Sequence, residues 1–566
     1  MAARLLGGRV SAASLQAHDT RDWRVLLAVA GTLLVYAWCY TNLGAWLGLA
    51  TPADAAAWLG VALPRVLDDD GNVAAKLSVT YTALHDGDDE RLAVFAALLG
   101  GFVSAYALPL RRRAAAAVAW FLPAFAWLYG ASAAAALLAA HLGVYATFHP
   151  RRGGRAAALV GALCGLLIGD AWPLRIGAAA VGAGATAWAY QKLLAPALRA
   201  EGRAARVIRR FVVEGCMITV AVACAAEGLT GAAWKLPVGL LFFFYQWARL
   251  LVYEADARDG LVPRELPVAE YLALFMTPLA LANVNYAPYL GQGYAYLQAR
   301  LLAEDRMRLA RAGLRLWWLA LAYMVFAEEA TGRFIVAVER AFGVKVYAFT
   351  SELVREHIKG TPLSTPTVLL STLVDQARVF LIYGGVTHFR VGAWRVMGYA
   401  VETQYDRPWL ATNLANLWGR FAYHFREFLV RVFYYPVFLT RLRRRPLLRI
   451  FTATMAATVI GNLVWGHVPP RTLGRLTWAD LVTALSTWPY FVLLGLGISL
   501  TQIWLARRPR TRKPWTLDRR LPLDVVCAYL TMQYFALIHV FIRPQPGGSL
   551  ADYGELALIG LGIRVR

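Results

Sequence analysis

The chain has 566 residues, of which 59% are hydrophobic and only 16% are charged, and its formal net charge is +23. A soluble protein carries appreciably more charge, so this composition argues against a soluble globular enzyme and indicates a polytopic membrane protein. The excess of 58 Lys and Arg over 35 Asp and Glu predicts cytoplasmic loops and contact with anionic lipid headgroups. The arginine clusters stand between apolar segments, which argues against a nucleic-acid-binding domain.

Residues 1–205 predict a group of transmembrane helices with an acidic external loop. The first span begins at Val25, after an arginine-rich N-terminus that we expect in the cytoplasm. The acidic segment 68–90 lacks the spacing of a calcium-binding loop and predicts a solvated external loop. The apolar run 114–148 is too long for one helix, and we expect it to divide near Gly130. Two segments rich in alanine and glycine, 156–168 and 176–190, predict a closely packed helix pair.

Residues 206–545 predict a transmembrane core, and residues 546–566 a C-terminal tail. A span at 316–327 precedes a polar segment, Thr331 to Ser364, that we interpret as a loop. The following span carries Asp375 and Arg378, which are three apart and therefore on one helical face. We expect about eleven to thirteen spans or half-spans in an all-α fold.

The stretch from Gly398 to Pro469 contains the strongest candidate for chemistry. A basic run leads into the apolar helix FTATMAATVIGNLVWGH, which ends at His467. A histidine in such a run is expensive to place in lipid and usually faces a cavity or a partner. Pro469 and Pro470 predict a helix end immediately after it.

The order of these features resembles the membrane-bound O-acyltransferase family, and DRPWLATNLANLWGRF is most similar to its bacterial alginate O-acetyltransferase branch. The matching positions are Gly398, Pro408, Ala411, Trp418, Arg420, Tyr435, Pro436 and His467. The segment with Tyr253, Asp256 and Arg258 resembles the step that precedes the family's core. The chain departs from the family at Ala422, where relatives have His or Asn, and the nearest histidine is His424. Trp-Gly-His also stands where the bacterial branch has Trp-His-Gly.

The resemblance implies transfer of an acyl group, acetyl or another short chain, from acyl-CoA or a similar thioester to a hydroxyl of a lipid or polysaccharide. It implies that His467 is the general base, since a neutral imidazole suits proton abstraction near neutral pH. His424 is then a second catalytic candidate. The candidates for substrate binding are Trp418, Arg420, Asn416 and Trp465. We expect Arg420 to face donor phosphate or to pair with Glu427.

The family resemblance also implies a multi-pass protein of the inner membrane, with a soluble pathway partner as a further possibility. We expect no bound cofactor, and the five cysteines show no metal-ligand spacing, so no metal site is predicted. Two other functions stay open at this point. A transporter would use Asp375, Arg378 and Glu214 as a polar pathway. A membrane scaffold that has lost catalysis would explain Ala422.

Overall fold

The computed structural model describes residues 23–40, 48, 88–166, 172–200, 202–230, 235–277, 293, 294, 296, 306–468, 478–508, 514, 515 and 519–563. All regular structure within these residues is helical, which confirms the all-α prediction for them. Five described segments are long and apolar enough to cross a membrane: Ala131–Phe148, Thr365–Val396, Pro446–Val464, Leu481–Arg507 and Leu521–Ile542. The larger number of spans stays a prediction.

The helices of the first half are Trp23–Tyr40, Asp88–Ala107, Leu110–Tyr129, Ala131–Phe148, Gly153–Leu166, Trp172–Ala189, Ala195–Arg199, Arg203–Thr230, Lys235–Arg258 and Val268–Phe275. Those of the second half are Arg306–Phe342, Thr350–Ile358, Thr365–Val396, Leu414–Arg420, Tyr423–Leu429, Tyr435–Thr440, Pro446–Met455, Trp478–Ser486, Trp488–Arg507, Leu521–Ile538 and Leu550–Gly560. Three π-helical segments, Tyr190–Leu194, Val430–Tyr434 and Ala456–His467, and two 3₁₀ turns, Pro408–Leu410 and His539–Ile542, complete the described elements.

The predicted division of the apolar run 114–148 is confirmed. One helix ends at Tyr129 and the next begins at Ala131, with Gly130 at φ +102° between them. Glycine has no Cβ and adopts this backbone conformation without the steric penalty that other residues meet. The break therefore falls at the residue that tolerates it best.

The predicted loop between Thr331 and Ser364 is wrong over most of its length. The helix Arg306–Phe342 continues through its first part, and the helix Thr350–Ile358 occupies its second part. Arg333 and Glu329 form an exposed ion pair one helical turn apart. The polar residue Arg333 of this segment lies at an exposed helical position, and a composition argument does not distinguish such a position from a loop.

Glycines allow two helix pairs to approach closely, as predicted for the first of them. A Cβ added at Gly161 would collide with the backbone of Gly182, on the neighbouring alanine-rich helix. A Cβ at Gly313 would meet the carbonyl of Gly392, where the two longest helices cross. Small residues at such crossings allow the helix backbones to approach, which is typical of membrane bundles.

A partly buried ion pair joins two distant parts of the predicted transmembrane core, residues 206–545. The Asp256 carboxylate, at the end of helix Lys235–Arg258, pairs with the Arg431 guanidinium in the segment Val430–Tyr434. Asp256 is buried, and the side chain of Arg431 is 28% exposed. The aspartate that resembles the family's upstream step therefore has a structural role here.

The predicted C-terminal tail contains a helix, Leu550–Gly560, that packs on the core. Ser549 caps this helix, and the Asp552 side chain accepts a hydrogen bond from the Ser549 backbone N–H in return. Tyr553 and Leu556 lie in a hydrophobic cluster with Leu353. This part of the tail is thus an ordered element of the fold.

Candidate active site

His467 is the last residue of a wide helical segment. The helix Pro446–Met455 continues as twelve residues of π-helix, Ala456–His467, in which the Val468 backbone N–H bonds to the Leu463 carbonyl. His467 is 9% exposed, and its ring lies edge-on to the ring of Phe491, with 5.2 Å between centroids. The His467 ring is thus buried against another helix, and π-helical turns are frequent at functional sites. Pro469 and Pro470 lie outside the described residues.

His424 is fully buried near the start of helix Tyr423–Leu429. Its backbone N–H donates to Oε1 of Gln404 at 2.8 Å, and its ring Nε2 lies 3.0 Å from the Glu402 carbonyl oxygen. Tyr423 also donates its backbone N–H to the Gln404 carbonyl at 3.0 Å. The irregular segment 402–406 therefore holds the beginning of the His424 helix in place.

The two histidine-bearing segments pack directly against each other. A Cβ added at Gly466 would lie 2.5 Å from Cζ of Phe425, and one at Gly461 would lie 2.7 Å from a methyl carbon of Leu429. Glycine at these two positions allows the helix Tyr423–Leu429 to lie against the π-helix. The sequence neighbours of His424 and His467 are thus in contact, while the two rings have different surroundings.

Trp418 stands at the junction of the two hydrophobic clusters that surround these histidines. One cluster contains Phe428 and Leu429, the other contains Leu463 and Phe491, and the partly buried Trp418 ring packs against both. The role of Trp418 in substrate binding stays a prediction. Trp465 lies in the π-helix, but its side chain is outside the described residues, so its role stays a prediction.

Arg420 and Asn416 form one hydrogen-bonded unit at the edge of this region. Arg420 donates from Nε to Oδ1 of Asn416 at 3.2 Å and from Nη1 to the Asp406 carbonyl at 3.0 Å. The expected pairing of Arg420 with Glu427 is wrong, because Glu427 binds the neighbouring Arg426. Arg420 thus connects the helix Leu414–Arg420 to the irregular segment 402–406.

The backbone around Ala422 explains how the two short helices are joined. Ala422 is buried and left-handed, with φ +51° and ψ +49°, between helices Leu414–Arg420 and Tyr423–Leu429. Non-glycine residues reach this region at a steric cost, and such conformations cluster at functional sites. Its methyl group performs no proton chemistry.

Three further polar positions have different local roles. Asn413 caps the helix Leu414–Arg420 by accepting a hydrogen bond from the Asn416 backbone N–H at 2.8 Å. Arg378 is buried, with its guanidinium over the ring of Phe349 at 4.0 Å from the centroid. Glu214 forms an exposed pair with Arg210 on the outside of its helix, which gives no support to a polar pathway through Glu214.

Sequence reasoning missed Gln404, which contacts His424 and is itself 1% exposed. No spacing in the sequence identifies it, because its contact depends on how the segment 402–406 folds back on residues 420–424. Among the described residues, no group of three or more His, Cys, Asp or Glu is placed to hold a metal ion. A scan against protein-family models finds no match, and a comparison with curated proteins finds no significant relative.

Proposed function

We propose that the chain is a membrane-bound O-acyltransferase. It would move an acetyl or other short acyl group from a thioester such as acyl-CoA to a hydroxyl of a lipid or polysaccharide. One observation supports this proposal most directly. The two segments that carry the family resemblance pack on each other through Phe425 and Gly466, and each contributes a buried histidine.

In this proposal His467 is the general base. Its ring accepts the proton of the acceptor hydroxyl while the hydroxyl oxygen attacks the thioester carbonyl carbon. The new carbon–oxygen ester bond forms, the carbon–sulfur bond breaks, and the departing thiolate takes the proton back from His467. No covalent enzyme intermediate is involved. Arg420 and Asn416 act as positioning residues, because their hydrogen bonds hold the segment 402–406.

The substitution His467→Ala tests the proposal. A general base contributes typically 10²–10⁴-fold to the rate, so we expect turnover of radiolabelled acetyl-CoA to fall by about that factor. Acetyl-CoA binding should change little, since the ring acts on the acceptor's proton. His467→Gln keeps most of the volume and should fail nearly as badly.

His141→Ala is the matched control, because His141 is a fully buried histidine on another helix, Ala131–Phe148. It should reveal how much activity is lost merely by removing a buried ring. A His467→Ala protein that folds, inserts and transfers acetyl groups at the wild-type rate would contradict the proposal.

Ala422 favours a second candidate, a catalytically inactive scaffold with the same fold. The position where the family has a polar residue carries a buried methyl group here. If the wild-type protein neither hydrolyses acetyl-CoA nor transfers its acetyl group to any membrane lipid or glycan fraction, the scaffold becomes the better interpretation.

A further inference from the structure

The His424 ring has one nitrogen whose role is fixed by its hydrogen bond. Nε2 lies 3.0 Å from the Glu402 carbonyl oxygen, and a carbonyl oxygen only accepts. Nε2 of the neutral ring therefore carries the hydrogen, and Nδ1 is left as an acceptor. Nδ1 is buried and has no hydrogen-bond partner in the part of the chain that the structure describes.

The Gln404 side chain is fixed in the same way. Its Oε1 accepts the backbone N–H of His424 at 2.8 Å, so the free end of the amide is the Nε2 donor. This nitrogen is also buried without a partner among the described residues. A buried donor and a buried acceptor thus stand on the side chains of two residues that are joined by one hydrogen bond, from the His424 backbone N–H to the Gln404 side chain. Leaving both unsatisfied is unfavourable, so a ligand that joins them is favoured.

We infer that Gln404 and His424 bind a hydroxyl group of the acceptor. The hydroxyl oxygen accepts a hydrogen bond from Gln404 Nε2, and the hydroxyl proton is donated to His424 Nδ1. A hydroxyl provides a donor and an acceptor at one atom, as this pair requires. Tyr423 and Tyr296 place their rings edge-on to the imidazole, with centroids 5.0 and 6.0 Å away.

The identity of this hydroxyl depends on the proposed function. The reacting hydroxyl gives its proton to His467, whereas the hydroxyl bound here directs its only proton to His424. The two are therefore different hydroxyls of one acceptor. The need for two hydroxyls favours a polyol or glycan as the acceptor over a lipid alcohol with a single hydroxyl. Gln404 is then a positioning residue, because it binds the hydroxyl that does not react.

Binding is tested on the full-length protein, labelled with ¹⁵N-histidine, by titration with glycerol. The chain has nine histidines, and the His424 signals are those lost in His424→Gln. We expect glycerol to shift the His424 Nδ1 resonance saturably. The matched variant is Gln404→Glu, which keeps an oxygen for the His424 N–H and turns the free donor into an acceptor. It should weaken glycerol binding about tenfold, as expected for one lost hydrogen bond.

An Nδ1 resonance that glycerol does not shift at any concentration overturns the inference. If the chemical shift shows that Nδ1 already accepts a hydrogen bond without glycerol, and glycerol does not change it, an ordered water occupies the position and the inference is overturned. Unfolding curves of Gln404→Glu establish that the variant is folded. This measurement requires no acyl transfer, so a failed proposed function and a failed hydroxyl site give different results.

Kinetics with glycerol as the acyl acceptor test the positioning role. Gln404→Glu should raise the KM for glycerol about tenfold, with a much smaller effect on kcat and on the KM for acetyl-CoA. A fall in kcat at unchanged KM would overturn the assignment to a non-reacting hydroxyl.

Discussion

Replacing Gly466 by alanine perturbs the contact between the His424 helix and the His467 helix. The new Cβ would lie 2.5 Å from Cζ of Phe425 and 2.8 Å from Oδ1 of Asn462. The first distance is about 1 Å shorter than an ordinary carbon–carbon contact. Overpacking of this kind costs about 1–3 kcal/mol. Alanine also gains up to about 1 kcal/mol over glycine inside a helix, so the net loss of stability is smaller than the cost of the clash.

Gly332→Ala is the control that separates these two effects. Gly332 lies in helix Arg306–Phe342, and a Cβ there meets nothing within 4 Å. The control should show only the helix-propensity gain, so the stability difference between the two variants should be about 1–3 kcal/mol. Unfolding by SDS in mixed micelles measures this difference. Adding Phe425→Leu to Gly466→Ala should recover part of it, because the shorter side chain leaves space for the methyl group.

The same variant links packing to activity. If the backbone next to His467 shifts by about 1 Å, acyl transfer can fall by about 10²-fold, since catalysis depends on placement at that scale. Equal stability of Gly466→Ala and Gly332→Ala would refute the packing contact between the two segments. The proposed function would then lose its main structural support.

Two further predictions use the same unfolding assay. Asp256→Asn should lower the free energy of unfolding by about 3 kcal/mol, near the lower end for a broken buried pair because Arg431 is 28% exposed. Glu214→Gln, in an exposed pair, should lower it by less than about 1 kcal/mol. Equal losses in the two variants would contradict a stabilising role for the Asp256–Arg431 pair. Burial lowers the pKa of His424 to about 3, so protons favour the unfolded chain, and stability should fall as the pH drops below about 6.5, the unfolded value. Between pH 8 and pH 5 this loss is about 2 kcal/mol for one residue, and His424→Gln should remove that part of the pH dependence.

Short sequence patterns predicted those features of the fold that depend on neighbouring residues alone, such as a helix break and a close helix pair. Gly130 marked a helix break because only glycine adopts its backbone angles cheaply, and the small residues at 161 and 182 marked a close helix pair. The polar segment after Thr331 was misjudged because solvent-facing helical residues have the composition of a loop. The burial of His467 followed from the apolar run around it, whereas the contacts of Gln404 depend on residues 402–406 folding back on the His424 helix.

The winding of the His467 helix explains why the direction of the imidazole was not predictable. Gly461 and Gly466 are five residues apart, which places them about 140° apart around an α-helix. In the π-helix the hydrogen bonds join residues five apart, so both glycines lie near one face. That face meets Phe425 and Leu429, which are four apart and share a face of their α-helical partner. A helical projection drawn at 3.6 residues per turn separates the two glycines and misplaces His467. In the π-helix, the face with the two glycines packs against the His424 helix, and the neighbouring His467 ring contacts Phe491 instead.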